Sequence, residues 1–182
     1  MTAGAATAFA PGNSDQESLG ALDRPFEHFK IHHRRIFQAL ERLEAAFAGA
    51  PPRDALGEAA QAIQLLESEG FLHMQDEEES LFPRLQDRLS PEYAAHLDVL
   101  TQQHQEAREL VAGLRETLAS ERTAAASAGG IKILIERFVD QFRFHADFED
   151  TELAVVAQRI LRPDEIAAIS REMKQRRGLP AG

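Results

Sequence analysis

The chain has 182 residues, a formal net charge of −10 and no cysteine, with 43% hydrophobic and 27% charged residues. These values fit one globular domain with a sizeable core, and the lack of cysteine excludes disulfides, thiolate zinc sites and cysteine-ligated iron–sulfur clusters. The acidic charge disfavours nucleic-acid and membrane partners. With neither a membrane-spanning apolar run nor a secretory signal, we expect a cytoplasmic protein.

The N-terminal part predicts a tail followed by a helix. Residues 1–20 are rich in Ala, Gly, Ser and Thr without sustained periodicity, which is typical of a flexible tail. Asp23 and Pro25 then favour a helix start, because Asp is a good N-cap and proline is tolerated in the first turn. Apolar residues spaced by three, four or seven extend this helix to about Phe47 and place His33 on its inward stripe.

The second predicted helix changes from apolar to polar along its inward stripe. That stripe consists of Leu56, Ala59, Ile63, Leu66, Gly70, His73 and Glu77. Residues four apart share one face of a helix, so His73 and Glu77 can reach a common metal ion. Pro83 disfavours helix at the preceding residue, Phe82, and predicts a kink or an end there.

The third predicted helix starts at Ser90 and Pro91, a capping hydroxyl followed by a proline at the first helical position. Its inward stripe consists of Leu97, Leu100, His104, Ala107, Val111, Leu114 and Leu118. A loop of small residues that includes Gly129 and Gly130 is expected before the fourth helix. The inward residues of the fourth helix are Ile131, Leu134, Phe138, Phe142, His145, Glu149 and Val156.

The two halves of the chain repeat one pattern. His104 lies 71 residues after His33 and His145 lies 72 after His73, so each half pairs a helix with one inward histidine and a helix with His-x3-Glu. This repeat predicts an all-α fold, an up-down-up-down four-helix bundle over residues 21–162 with pseudo-twofold symmetry. Pro163 then opens a short C-terminal helix within the last segment, residues 163–182.

Six polar side chains on the inward stripes indicate a metal site in the core: His33, His73, Glu77, His104, His145 and Glu149. An unpaired imidazole or carboxylate in an apolar core is costly, and a metal ion offsets that cost. Imidazole and carboxylate together suit iron, manganese or zinc. Roughly eight protein bonds to two ions that take about ten to twelve would leave positions for water, an oxo bridge or a small diatomic ligand.

These motifs resemble the hemerythrin-like HHE cation-binding family over about residues 22–162. The matching residues are His33, His73-x3-Glu77 with Glu78 and Leu81-Phe82-Pro83, His104, and His145-x3-Glu149 with Asp150 and Leu153. The resemblance implies two iron ions held by the six inward residues, with Glu77, Glu149 and an oxo or hydroxo group as bridges. It also implies that the protein binds or reacts with O2, NO or peroxide, in sensing, scavenging or iron handling.

Several positions depart from particular branches of that family. Oxygen-carrying hemerythrins have His-x3-His on the third helix, whereas here Leu100 and Arg108 flank His104, which argues against reversible oxygen carriage. Those carriers also end in His-x4-Asp, which would make Asp150 the carboxylate ligand in place of Glu149. The iron-centre repair branch has a cysteine-bearing N-terminal region that this chain lacks.

Two other functions remain open from the sequence. The site is compatible with an enzyme that turns over peroxide or another small oxidant, or with a structural or interaction bundle that holds zinc or a single metal. Ferritin-like bundles are a weaker match because they use Glu-x-x-His with a spacing of three. The sequence leaves the oligomeric state open.

The remaining polar residues near the motifs have simpler interpretations. Glu78 and Glu79 are expected on the solvated face or as outer partners of the ligands, and Asp150 is expected to orient a ligand imidazole. His28 and His32 point away from the direction of His33, so we expect them on the surface, unless a rotation of the first helix lets one add a ligand.

Overall fold

The computed structural model describes residues 13–47, 53–119 and 128–180. In these parts of the chain there are six helices and no strand, so the all-α prediction is confirmed. The helices are α1 (Asn13–Gly20), α2 (Pro25–Phe47), α3 (residues 53–86), α4 (Pro91–Ala119), α5 (residues 128–160) and α6 (Pro163–Arg176). No described helix is both long and apolar enough to cross a membrane.

Two of the long helices contain wide π-helical turns. Helix α3 has one at Leu66–Gly70 and another at Glu77–Leu81, and α5 has one at Glu149–Leu153. Each lies inside an otherwise regular α-helix, so the chain continues through it without a break. Such turns are uncommon and occur often at functional sites.

The core consists of two apolar clusters. The first joins α2, α3, α4 and α5 through Ile36, Leu40, Leu43, Ile63, Val111, Leu114, Ile135 and Phe142. The second joins the same helices to α6 through Leu22, Phe29, Leu85, Leu97, Leu153, Ile169 and Met173. In α2 and α4 the change from one cluster to the other falls at His33 and His104, so the inward histidines lie between two apolar layers.

Helix α1 departs from the prediction of a flexible tail over residues 1–20. Asn13–Gly20 is helical, and residues 1–12 lie outside the described part of the chain. Ser18 is buried against α2, where its backbone carbonyl and its hydroxyl both contact histidine rings. The helix is therefore stabilised by docking onto α2, which the local composition does not reveal.

Two helix boundaries also differ from the prediction. Helix α3 runs past Pro83 to Gln86, because the π turn ends at Leu81 and leaves the proline in the first turn of the following α segment. Helix α5 begins at Ala128, so Gly129 and Gly130 are helical instead of forming a loop. Both glycines lie in its first turn, where backbone N–H groups have no intrahelical partner in any case.

Candidate metal centre

The six inward residues of the sequence motifs meet at one level of the bundle. His33 comes from α2, His73 and Glu77 from α3, His104 from α4, and His145 and Glu149 from α5. All six side chains are buried, with at most 5% of each residue exposed. Their assignment as ligands is still a prediction, but the structure brings all of them together.

The six residues form two groups that could each hold one ion. One group is His33, His73, Glu77 and Glu149, and the other is Glu77, His104, His145 and Glu149. Within each group the potential ligand atoms lie within 4.8 Å of one another. Both glutamates belong to both groups, which is the arrangement that bridging carboxylates require.

Interatomic distances show how the glutamates connect the two groups. Glu77 places Oε1 3.4 Å from His73 Nε2 and Oε2 3.4 Å from His104 Nε2, so its two oxygens face different groups. Glu149 places Oε2 3.1 Å from His33 Nε2 and 3.2 Å from His145 Nε2. Each carboxylate therefore contacts one imidazole of each group.

Hydrogen bonds fix the tautomer of three of the imidazoles. Nδ1 of His33 lies 3.0 Å from Asp150 Oδ1, Nδ1 of His104 2.8 Å from Glu78 Oε1, and Nδ1 of His145 2.8 Å from Gln103 Oε1. Because all three partners are acceptors, each Nδ1 donates its proton and a neutral ring then has a bare lone pair on Nε2.

The Nε2 atoms of the four imidazoles face one another in pairs inside the cluster. His104 Nε2 and His145 Nε2 are 3.1 Å apart, and His33 Nε2 and His73 Nε2 are 3.0 Å apart. In the His104–His145 pair, hydrogen bonds from both Nδ1 atoms leave both Nε2 atoms bare in the neutral rings. Two bare lone pairs at this distance repel, and a cation between them turns the repulsion into coordination. This donor set, which combines imidazole and carboxylate ligands, therefore fits a bound metal ion.

The ionisation of the cluster also indicates a place for positive charge. Burial, with the nearby Glu149 carboxylate, raises the pKa of Glu77 well above its usual range. Burial opposes ionisation of Glu149 too, but His145 and His33 hold its pKa well below the ordinary value. Burial lowers the pKa of His33, yet hydrogen bonds to Asp150 and Glu149 outweigh it and raise that pKa to about 9. Without metal, protons supply the positive charge that ions would supply when bound.

The outer carboxylates cross between the two halves of the repeat. Glu78, in the first half, holds His104 of the second, and Asp150, in the second half, holds His33 of the first. The expected role of Asp150 in orienting an imidazole is thus confirmed, and Glu78 has the same role. Arg108, one of the two positions four residues from His104, donates to both Glu78 oxygens at 2.9 Å and so supports an outer partner of His104.

Both glutamates stand at the first position of a π turn, Glu77–Leu81 and Glu149–Leu153. The two turns are 72 residues apart, the same offset as the His-x3-Glu motifs. A residue is inserted into the helix directly after each ligand pair, which lets the following apolar residues return to the core. No residue type in either segment predicts this feature, so sequence reasoning missed it.

The predicted surface location of His28 and His32 is wrong. His28 has 0% and His32 4% of its surface exposed, because α1 covers one side of them. His28 Nδ1 donates to the Ser18 carbonyl at 2.8 Å, and its Nε2 accepts from Arg177 at 3.1 Å. Burial, with Arg177 next, lowers the pKa of His28 to about 4, so this ring is neutral. Neither histidine belongs to the two ligand groups.

A small cavity of about 10 Å³ lies against the cluster. It is lined by the predicted ligands His33, Glu77 and Glu149, by Asp150, and by the apolar residues Phe26, Phe29, Leu81, Leu153 and Ala154. A volume of this size accepts about one water-sized molecule. Phe26 and Phe29 thus form an aromatic, apolar part of the cavity wall.

Fold and site together define a metal-binding helical bundle. The family model of the hemerythrin HHE cation-binding domain matches residues 24–157, and the chain belongs to this family. Comparisons with curated proteins and with solved structures gave no match. Membership of the family implies a bound metal ion, and the His and Glu cluster supplies the donors for it.

Proposed function

We propose that this protein is a non-haem di-iron protein that binds or reacts with O2, NO or peroxide. The observation that carries the proposal is the pair of four-residue groups that share both Glu77 and Glu149. A site for a single ion would not need two glutamates that each contact imidazoles of both groups. Sensing, scavenging and iron handling are the roles that such a site supports.

The number of donors supports an open site. Each group offers two imidazole nitrogens and oxygens from two carboxylates, whereas iron in such sites takes about five or six ligands. When bound, iron would supply vacant coordination positions and a reversible change of oxidation state. The protein supplies the fixed ring orientations, through Asp150, Glu78 and Gln103, and keeps the six ligands out of water.

The cavity beside the carboxylates supports a small external ligand. Its volume of about 10 Å³ excludes an organic substrate, and five of its nine lining residues are apolar. O2, NO and peroxide are of suitable size, and the apolar walls favour the uncharged diatomic molecules. The ionisable groups in the lining are the three predicted ligands and Asp150, and Asp150 already accepts a hydrogen bond from His33.

The first experiment measures iron stoichiometry. Protein loaded anaerobically with Fe(II) should retain two iron ions per chain, and exposure to air should produce the visible absorption of an oxo-bridged diferric centre. Glu77→Ala and Glu149→Ala should each lose this absorption, whereas Glu79→Ala should keep it, because Glu79 is exposed and contacts Gln75 and Arg176 instead. If the wild-type protein retains no iron, the proposal is wrong.

The same preparation separates the alternatives. An enzyme that turns over peroxide would show steady-state consumption that Glu77→Ala abolishes, whereas a sensor or carrier would show a single stoichiometric reaction. A structural zinc or one-metal bundle would bind one ion per chain and give no spectral response to NO.

A further inference from the structure

We propose that His32 is a positioning residue of the metal centre: it holds the Nδ1–H of the ligand His73, as Gln103 holds that of His145. The inference rests on the proposed metal site and adds an outer partner that the motif does not contain. His32 would act through one bridging water and would contact neither the metal nor its external ligand.

The internal repeat makes His32 and Gln103 equivalent. Gln103 directly precedes the inward His104, and His32 directly precedes the inward His33. Gln103 Oε1 lies 2.8 Å from Nδ1 of His145, which comes from the other long helix of its own half. By the same relation, His32 should serve His73, the first residue of the other His-x3-Glu motif.

The side chains are placed as this relation requires. The rings of His32 and His73 are stacked, with centroids 5.8 Å apart and an interplanar angle of 24°. His73 is 1% exposed and His32 4% exposed. Nδ1 of both rings is buried without a hydrogen-bond partner among the described residues, whereas the other three ligand imidazoles each have one.

A buried polar nitrogen without a hydrogen-bond partner destabilises the folded protein, and one link between the two Nδ1 atoms would remove the penalty for both. The proposed link is a single water molecule that would accept from His73 Nδ1 and donate to His32 Nδ1. His32 itself is held from outside, since its Nε2 lies 2.7 Å from Ser18 Oγ and its ring packs 4.2 Å from that of His28. Helix α1 thereby fixes the orientation of a ligand on α3.

Loss of this link should weaken the binding of only one of the two ions, the one held by His73. Outer partners of metal-bound histidines typically contribute about 10–100-fold to metal affinity. His32→Leu should therefore accelerate release of one Fe(II) per chain to a chelator by about 10–100-fold, while the second is released at the wild-type rate. His32→Gln should restore slow release, because an amide can replace the imidazole as it does at Gln103.

Three matched variants complete the experiment. Gln103→Leu should produce the same defect, and the double variant should release both ions rapidly. Gln102→Leu removes an exposed neighbour of Gln103 that contacts Glu106 and none of the predicted ligands, so it should leave iron release unchanged. Equal release from His32→Leu and wild type, or equal acceleration in Gln102→Leu, would overturn the proposal.

A measurement on the wild-type protein avoids dependence on variants that fold poorly. The di-ferrous protein should show four hyperfine-shifted, exchangeable imidazole N–H resonances in its proton NMR spectrum, one for each ligand histidine. If the His73 proton is missing through fast solvent exchange while three remain, His32 does not hold it. Absence of two bound irons in wild type would instead contradict the proposed function itself.

Discussion

The orientation of individual imidazoles is the most informative feature at the scale of the residue. Asp150, Glu78 and Gln103 each accept a hydrogen bond from Nδ1 of a ring and thereby turn its Nε2 toward the interior of the cluster. A core histidine that serves only packing would direct its free nitrogen to a donor. The cluster is thus organised for a cation before any cation binds.

Asp150 offers a direct test of this organisation. Asp150→Ala should lower metal affinity by about 10–100-fold, because the His33 ring loses the acceptor that fixes its tautomer. Asp150→Asn should lose less, since its amide oxygen can still accept. Chelator competition measures both, and Asp147→Ala, an exposed carboxylate one turn earlier, is the control. An effect of Asp147→Ala equal to that of Asp150→Ala would contradict the interpretation.

Sequence reasoning succeeded for the residues whose location follows from helical periodicity. His33, His73, Glu77, His104, His145 and Glu149 all fall on inward stripes, so their convergence could be predicted. Burial of His28 and His32 could not, because it depends on α1 folding back onto α2 and on Arg177 near the other end of the chain, which helical periodicity does not encode. Gln103 was missed since nothing local distinguishes it from a solvated glutamine.

The π turns matter at the scale of the helix. The turns at Glu77–Leu81 and Glu149–Leu153 each add one residue immediately after a predicted ligand pair, and the apolar residues that follow, among them Leu81, Leu85 and Leu153, still reach the core. If the same sequence formed a regular α-helix, the one residue that the π turn accommodates would rotate these apolar residues by about 100° around the helix axis. The feature also explains why helix α3 continues through Pro83, which periodicity and the proline rule alone did not predict.

Deletion of Glu79 should convert the turn at Glu77–Leu81 into a regular α-helical turn. The apolar flanks would keep their faces, so far-UV circular dichroism should remain that of a folded helical protein, while metal binding falls because Glu77 loses its wide turn. Deletion of Glu109, exposed in the regular helix α4, should unfold the protein because it rotates Val111 and Leu114 away from the core. An equal loss of helical structure in both deletion variants would show that the π turn tolerates a deletion no better than a regular helix does.

Helix α6 is attached to α3 by a buried ion-pair network. Asp76 is fully buried, with Oδ1 2.8 Å from Arg176 and Oδ2 2.7 Å from Arg177. Asp76→Leu should reduce the free energy of unfolding in urea by about 3–5 kcal/mol, because two largely buried guanidinium groups lose their partner. Glu79→Ala removes an exposed partner of the same Arg176 and should cost about 1 kcal/mol or less. If both variants lose a similar free energy of unfolding, the buried ion-pair network is not what attaches α6 to α3.

At the scale of the whole molecule, the two halves of the repeat complete each other's site. Each half contributes two imidazoles and one glutamate, both glutamates contact imidazoles of both groups, and Glu78 and Asp150 cross from one half to the other. The donors therefore lie between two apolar clusters that hold the bundle together on either side. Metal binding and folding of the bundle must be thermodynamically linked.

This linkage gives a prediction for the complete protein. A ligand that binds only the folded state adds RT ln(1 + [L]/Kd), about 2.7 kcal/mol for each site when free metal is at 100 times its Kd. Anaerobic Fe(II) should therefore raise the free energy of unfolding in urea by about that amount per occupied site, and chelation should reverse the gain. In Glu77→Ala/Glu149→Ala the increase should vanish although the helices remain. If wild-type stability is the same with and without Fe(II), these six buried donors do not bind metal in the folded bundle.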